Sequence, residues 1–271
     1  METAESIRDE GLSVARFGDG EFNLMFRKHG INFQEYDAEL SKELIDLAEN
    51  MRHTKNGKLR LALPHALVNT RLDKPSVKFF WWNYTVKNGF ALARAFNNNE
   101  YLDTNFSRTV SELSNHEYVR KHVELTKSIW AGRNVVIVEG KGTKFGVGND
   151  LLDGALKVER IICPVINAFS VIDEIEKQVS NVSECLDNPL ILLALGPTAT
   201  VLAARFSNEG LQAVDIGHFD LQYEYLMKNR FKKIRIDGKY NNELINPLST
   251  NVKKDNQYES EIFADVERGF E

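Results

Sequence analysis

Two carboxylates two residues apart, Asp19 and Glu21 in the run Arg16-Phe17-Gly18-Asp19-Gly20-Glu21-Phe22, are the sharpest chemical signal in this chain of 271 residues. In an extended segment, residues i and i+2 point to the same side, so both carboxylates would face one cation. Hard oxygen ligands in such small number suit Mg2+ or Mn2+ held jointly with a substrate diphosphate. The alternative is a Gly-Asp-Gly turn in which Glu21 caps the next helix. Arg16 pairs either with a phosphate or with Asp19.

A second candidate is the loop from Gly140 to Asp150. Gly140, Gly142, Gly146 and Gly148 permit positive φ and close approach of backbone to a ligand. Lys141 and Lys144 add positive charge, and Asn149 or Asp150 can cap a helix opening at Leu151. A strand over Asn134–Val138, this loop and a helix N-terminus would together make an anion site. The spacing G-x-G-x-x-x-G is one residue longer than a dinucleotide fingerprint and is not a P-loop. A structural loop that merely turns tightly is the competing reading.

Two further segments carry polar groups in apolar settings. Gly196-Pro197-Thr198-Ala199-Thr200 reads as a turn into a helix with Thr198 as N-cap, offering donors to a second anion or serving as a plain cap. His218 and Asp220 in Gly217-His218-Phe219-Asp220 are candidates for general base, metal ligand or sugar-hydroxyl partner, or are satisfied structural residues. No Ser-His-Asp or Cys-His arrangement can be argued, and no CxxC or HExxH occurs.

These segments need elements to hold them. Leu12–Phe17 and Lys58–Leu63 read as strands, and Leu40, Leu44, Leu47 and Met51 recur at helical spacing over Ala38–Arg52. Val77–Phe96, rich in aromatics, reads as a helix packed on the core. Tyr118, His122, Leu125 and Ile129 mark another helix, which Gly132 can end. From Asn134 the chain alternates: strand Asn134–Val138, helix Asp150–Lys157, strand Arg160–Val165, a helix from Ser170 with Ser170 and Asp173 as a capping box, strand Leu190–Leu195, a helix from Thr198 to Gly210, strand Gln212–Ile216, and a helix through Tyr223 and Leu226. Repeated β–α units with continuous apolar strands predict an α/β, Rossmann-like, mostly parallel sheet with helices on both faces. In such sheets ligands bind beyond the carboxyl ends of the strands, where all of the polar segments above fall. Residues 1–237 read as one domain, and the polar, asparagine-rich residues 238–271 as an extension, lid or linker.

Composition narrows the class. A net charge of −5 disfavours a nucleic-acid backbone as partner. Two cysteines without metal-like spacing fit a reduced, cytoplasmic setting. The charged N-terminus lacks the apolar core of a signal peptide, and the longest apolar stretch, Leu190–Ala204, is broken by Gly196-Pro197, so no membrane span is expected.

Four motifs together, Arg16–Phe22, Gly140–Leu152, Leu193–Ala203 and Asp215–Tyr225, resemble the bacterial GT-D-type glycosyltransferase domain, formerly a domain of unknown function, in order over roughly Leu12 to Arg230. The resemblance implies a Rossmann-like fold, a nucleotide-sugar donor such as UDP-glucose, a divalent cation (Mn2+ or Mg2+) served by Asp19 and Glu21, and glycosylation of serine-rich-repeat adhesins. In relatives the domain can be fused to a second glycosyltransferase domain. The expected function is metal-dependent transfer of a hexose from a UDP-sugar to a hydroxyl of a growing O-glycan. Arg16, Gly18, Gly140, Lys141, Gly142, Lys144, Gly146, Asn149 and Thr198 would bind the donor; the resemblance assigns no catalytic base, and from the residues themselves Asp220 or His218 would accept the acceptor's proton or orient the sugar. The alternative is a non-catalytic nucleotide- or sugar-phosphate-binding module that regulates a fused enzyme domain.

Overall fold

Strands built from continuous apolar runs must be covered on both faces, and the computed structural model, which describes residues 1–50, 57–96, 100–241 and 255–266, shows that cover. In chain order the first half comprises α1 (Glu2–Asp9), β1 (Ser13–Arg16), α2 (Asp19–Phe22), α3 (Ala38–Asn50), β2 (Leu59–Leu63), α4 (Pro75–Ala95), β3 (Leu102–Asp103), α5 (Thr109–Glu112) and α6 (His116–Lys127). The second comprises β4 (Asn134–Gly140), β5 (Lys157–Cys163), α7 (Ile172–Glu184), β6 (Leu190–Ala194), α8 (Pro197–Asn208), β7 (Gln212–Asp215), α9 (Phe219–Met227), α10 (Asn256–Glu261) and β8 (Ile262–Asp265).

The strands form one eight-stranded sheet in the order β3-β2-β1-β7-β6-β4-β5-β8, and the pairings between them are parallel. Alternation along each strand divides the core in two. Val136, Val138, Ile191 and Leu193 join the layer of α3, α4, α7 and α8. Val135, Ile137, Leu190 and Leu192 face the layer of α1, α5, α6 and α9. The strand order also sets the site. From β1 the chain proceeds outward to β2, whereas from β7 it returns across the sheet to β8, so the connections leaving this adjacent pair diverge. They diverge again between β6 and β4. Such switch points open crevices at the carboxyl edge of a parallel sheet.

Several local expectations give way to tertiary contacts. No helix forms over Asp150–Lys157; the chain makes short turns directly into β5. Gly146 and Gly148 both take positive φ, and buried Leu151 has its carbonyl held by Trp130 Nε1 at 2.8 Å. The residues after the glycines are thereby spent on packing over Trp130. Helix α7 starts at Ile172 after a tight turn, Ala168–Val171, and the Ser170 hydroxyl donates to the Asn167 carbonyl at 2.8 Å rather than forming a capping box. Gly196, not Thr198, is the N-cap of α8. Helix α4 buries only part of its aromatics: Trp81 and Tyr84 are inside, while Phe79, Phe80, Trp82 and Phe90 are exposed. Within the polar C-terminal stretch, β8 pairs with β5 and extends the sheet. None of the described helices is long and apolar enough to cross a membrane. Cys163 is buried and Cys185 exposed, both as free thiols.

Candidate active site

Arg16, the last residue of β1, points its guanidinium across the first switch point. Its Nη2 lies 3.0 Å from Oδ1 of Asp215, the last residue of the neighbouring β7. Its Nη1 donates to Ser107 Oγ at 2.6 Å, and its carbonyl accepts from Thr200 Oγ1 at 2.8 Å. Asp215 is 2% exposed and also accepts the Gly217 N–H at 3.1 Å. Burial pushes the Asp215 carboxyl up, and the Arg16 charge opposes that shift. Arg16 Nε is buried with no hydrogen-bond partner. A charged floor thus lies beneath the end of β1, fixed by strands and not by a mobile loop.

The chain leaves that floor as a helix. Asp19 opens α2, and Glu21 turns back so that Oε2 accepts the Gly18 N–H at 2.8 Å. This is the capping turn, so the extended geometry invoked for the two carboxylates does not hold. Two residues apart on a helix diverge by about 200° around its axis. Both nevertheless line one cleft of about 830 Å³, with Asp19 exposed at its rim and Glu21 part-buried beneath. Burial, and next the charge of Asp215, push the Glu21 carboxyl up from 4.5 to about 7. The folded protein therefore holds this proton more tightly than the unfolded chain. Its contribution to stability is present below about pH 4.5 and is lost as pH climbs toward about 7. Glu21→Gln keeps an oxygen for the Gly18 N–H but cannot ionise. It is expected to match the wild type below that window and to be more stable above it. Urea midpoints on either side of the window check this; a variant no more stable than wild type above pH 7 overturns it.

Arg16, Gly18, Asp19, Glu21 and His218 share the large cleft, together with Phe33, Arg108, Lys232 and Lys233. Gly140, Lys141 and Thr143 line a smaller hollow at the second switch point, which meets the cleft at Phe33, Gly196 and His218. Gly142, Lys144, Gly146, Asn149, Thr198 and Asp220 line neither.

The glycine loop is a correction to the anion-site expectation. Its N–H groups bond inward: Lys141 to the Cys163 carbonyl, Phe145 to Glu139, Gly146 to Asp220, and Val147 to the Lys144 carbonyl. These donors are turned away from a phosphate, and the helix whose N-terminus was to assist is missing. Lys144 Nζ lies over the Tyr258 ring at 5.5 Å. Asp220 is likewise spent. Both of its oxygens lie 2.7 Å from Lys239 Nζ, and one accepts from Gly146 N. Asn149 donates to Glu224 at 2.7 Å. Asp220, Lys239 and Glu224, all buried, clamp the loop, α9 and the following segment together. Of the two candidate bases, only His218 borders the cleft. Thr198 is fully buried, with its hydroxyl unpartnered.

Known proteins share this fold. A family model described as "Glycosyltransferase GT-D fold" matches residues 14–244. The chain belongs to that family. A solved structure from Streptococcus sanguinis, described as a new glycosyltransferase with the domain of unknown function 1792, superposes with TM-score 0.89 at 31% identity, over 97% of this chain and 96% of that one. Another, described as that domain with a distinct glycosyltransferase fold, gives 0.87 at 30% identity over 97% and 93%. The GT-D chain is also 34% identical over 268 residues to the probable glycosyl transferase Gly of Streptococcus gordonii, and 32% identical over 266 to glycosyltransferase GlyD of Streptococcus pneumoniae. It covers 98% of itself in both matches but only 38% and 32% of those two proteins.

Inspection of the sequence missed Asp215, Lys232 and Lys233. Asp215 carried a usable signal, an acid closing an apolar strand at the binding edge. The lysines carried none, because segment 231–240 reaches the cleft only through tertiary contacts: Phe231 stacks on His116 and its carbonyl accepts from Lys74, Lys239 pairs with Asp220, and the Tyr240 N–H donates to the Gly142 carbonyl.

Proposed function

We propose that the large cleft binds a nucleotide-sugar donor, a UDP-hexose with glucose as the sugar, and transfers the hexose to a hydroxyl of a growing O-glycan on a serine-rich-repeat glycoprotein. The observation that carries this reading is the convergence of Asp19, Glu21 and the Arg16–Asp215 pair at the β1/β7 switch point, in a cleft of ligand size. Among the described residues no cluster of three His, Cys, Asp or Glu side chains could hold a metal by itself. Asp19 offers an exposed oxygen donor at the rim of the cleft and Glu21 a second one deeper in it, the kind of donor Mg2+ or Mn2+ takes when the ligand's phosphates and water complete the shell. Asp19 and Glu21 would hold it, and when bound it neutralises charge gathering on the departing diphosphate.

The chain's own residues account for the rest. The sugar C1–oxygen bond to the diphosphate breaks as the acceptor oxygen bonds to C1, and the hydroxyl proton goes to a base. His218, between the two hollows, is the proposed acceptor of that proton. Lys232 and Lys233 bring positive charge to the leaving diphosphate, and Arg16 orients the donor from the floor. A second glycosyltransferase domain fused to this one, and any acceptor it selects, belong to the same proposal.

The test is UDP release from a panel of UDP-sugars, with and without Mn2+. Release from UDP-glucose that disappears with EDTA is the expected result. UDP binding without release from any donor, in the presence of acceptor glycan, would replace this reading with a non-catalytic binding module.

A further inference from the structure

Helix α4 is apolar on both sides. Trp81, Tyr84, Leu92 and Ala95 are buried, whereas Phe79, Trp82, Val86 and Phe90 are 66%, 64%, 71% and 86% exposed. An exposed apolar patch of this kind marks a contact site, and among the described residues nothing covers this outer face. With 3.6 residues per turn, positions 79, 82, 86, 90 and 93 fall on one stripe. The stripe has an internal symmetry. Trp82 and Phe90 stand four residues to either side of Val86, and Phe79 and Ala93 stand seven to either side.

We propose that this stripe is the twofold interface of a homodimer, in which the α4 helices of two copies run antiparallel with Val86 on the axis. In that register Val86 meets Val86, Trp82 meets Phe90, and Phe79 meets the small Ala93. Large side chains oppose small ones at the ends, and the aromatic pairs sit toward the centre, where interface anchors belong. A twofold contact sets a patch against itself, so a charge on the patch would meet its own kind. Here Lys78, Lys87 and Arg94 all fall off the stripe on the flanks of the helix.

The exposed area is that of a small interface. At about 200 Å² for each aromatic side chain, Phe79, Trp82 and Phe90 leave about 400 Å² of apolar surface open per copy, the size of patch that marks an interaction site. Pairing two copies removes about 800 Å² from water through these three residues alone. Val86 and the flanking stems add to this, toward the roughly 1,200 Å² at which standard interfaces begin. Phe80, which lines the cleft, lies off the stripe, so the dimer leaves the cleft open.

Sedimentation velocity on the full chain tests this. The expected mass is about 62 kDa, twice the 30.9 kDa of one chain, at micromolar concentration. Trp82→Glu with Phe90→Glu is expected to sediment as a monomer with an unchanged circular-dichroism spectrum. Val86→Cys in a Cys185→Ser background should become a disulfide-linked dimer on treatment with diamide, while Thr85→Cys in the same background, about 100° around the helix from Val86, should not. A wild-type chain that stays monomeric into the tens of micromolar overturns the proposal, leaving the face to another occupant such as an adjoining domain. So does a dimer that survives the two glutamates. A dimer in which Val86→Cys fails to cross-link overturns the register.

Discussion

The double variant Asp19→Asn, Glu21→Gln is expected to lose about 10²- to 10³-fold in UDP-sugar turnover while keeping its fold, because it removes the carboxylates and little else. Asp19 is exposed at the rim of the cleft, and Gln at position 21 still accepts the Gly18 N–H that closes the first turn of α2. Loss of the cap altogether would cost about 1 kcal/mol, so the isosteric pair is preferred to alanine. The loss should fall on turnover at saturating Mn2+ and not on thermal stability. Activity, measured as UDP release, within about threefold of wild type would remove Asp19 and Glu21 from the mechanism. A matching loss of both fold and activity would show instead that the two carboxylates support the fold.

The largest expected effect on stability comes from a residue with no side chain. Gly217 follows β7 with φ +51°, and a Cβ built there would stand 2.0 Å from Arg16 Nη2 and 2.6 Å from its Cζ. A guanidinium is a flexible end and can swing away. Doing so separates it from Asp215, and both groups are largely buried, at 14% and 2% exposure. Breaking a buried ion pair leaves an uncompensated charge at a cost of about 3–5 kcal/mol, and a left-handed non-glycine residue adds about 1 kcal/mol. Gly217→Ala is therefore expected to lower unfolding free energy by several kcal/mol in urea titrations and to abolish turnover by disordering the floor of the cleft. Because both changes act through one pair, Asp215→Asn added to Gly217→Ala should cost far less than the sum of the single variants. An additive double variant would show that Gly217 and the pair are independent.

The polar segments at strand ends were legible, and their gathering at one sheet edge followed from the β–α alternation alone. What each segment does there was less so. Glu21 was read both as a cation ligand and as a cap, and the structure gives it the cap in a place where it also borders the cleft. Asp220 stands two residues beyond His218 in the sequence, but α9 has begun between them. The helix carries Asp220 inward to Lys239, which comes from a separate segment. The glycine loop had the composition of an anion nest, and its donors went instead to Glu139, Asp220 and nearby carbonyls.

By itself the sequence determined six of the eight strands of the sheet, all but β3 and β8, and the edge at which the site lies. Continuous apolar strands and regular alternation are local properties, and a parallel sheet is the one way to bury them. Tertiary structure alone decided which polar groups remain available to a ligand. The pairing of Arg16 with Asp215, of Asp220 with Lys239, and of the loop N–H groups with buried carboxylates joins residues far apart in the chain. A buried charge must be matched by whatever partner the fold brings within hydrogen-bond reach, and no spacing along the chain encodes that partner.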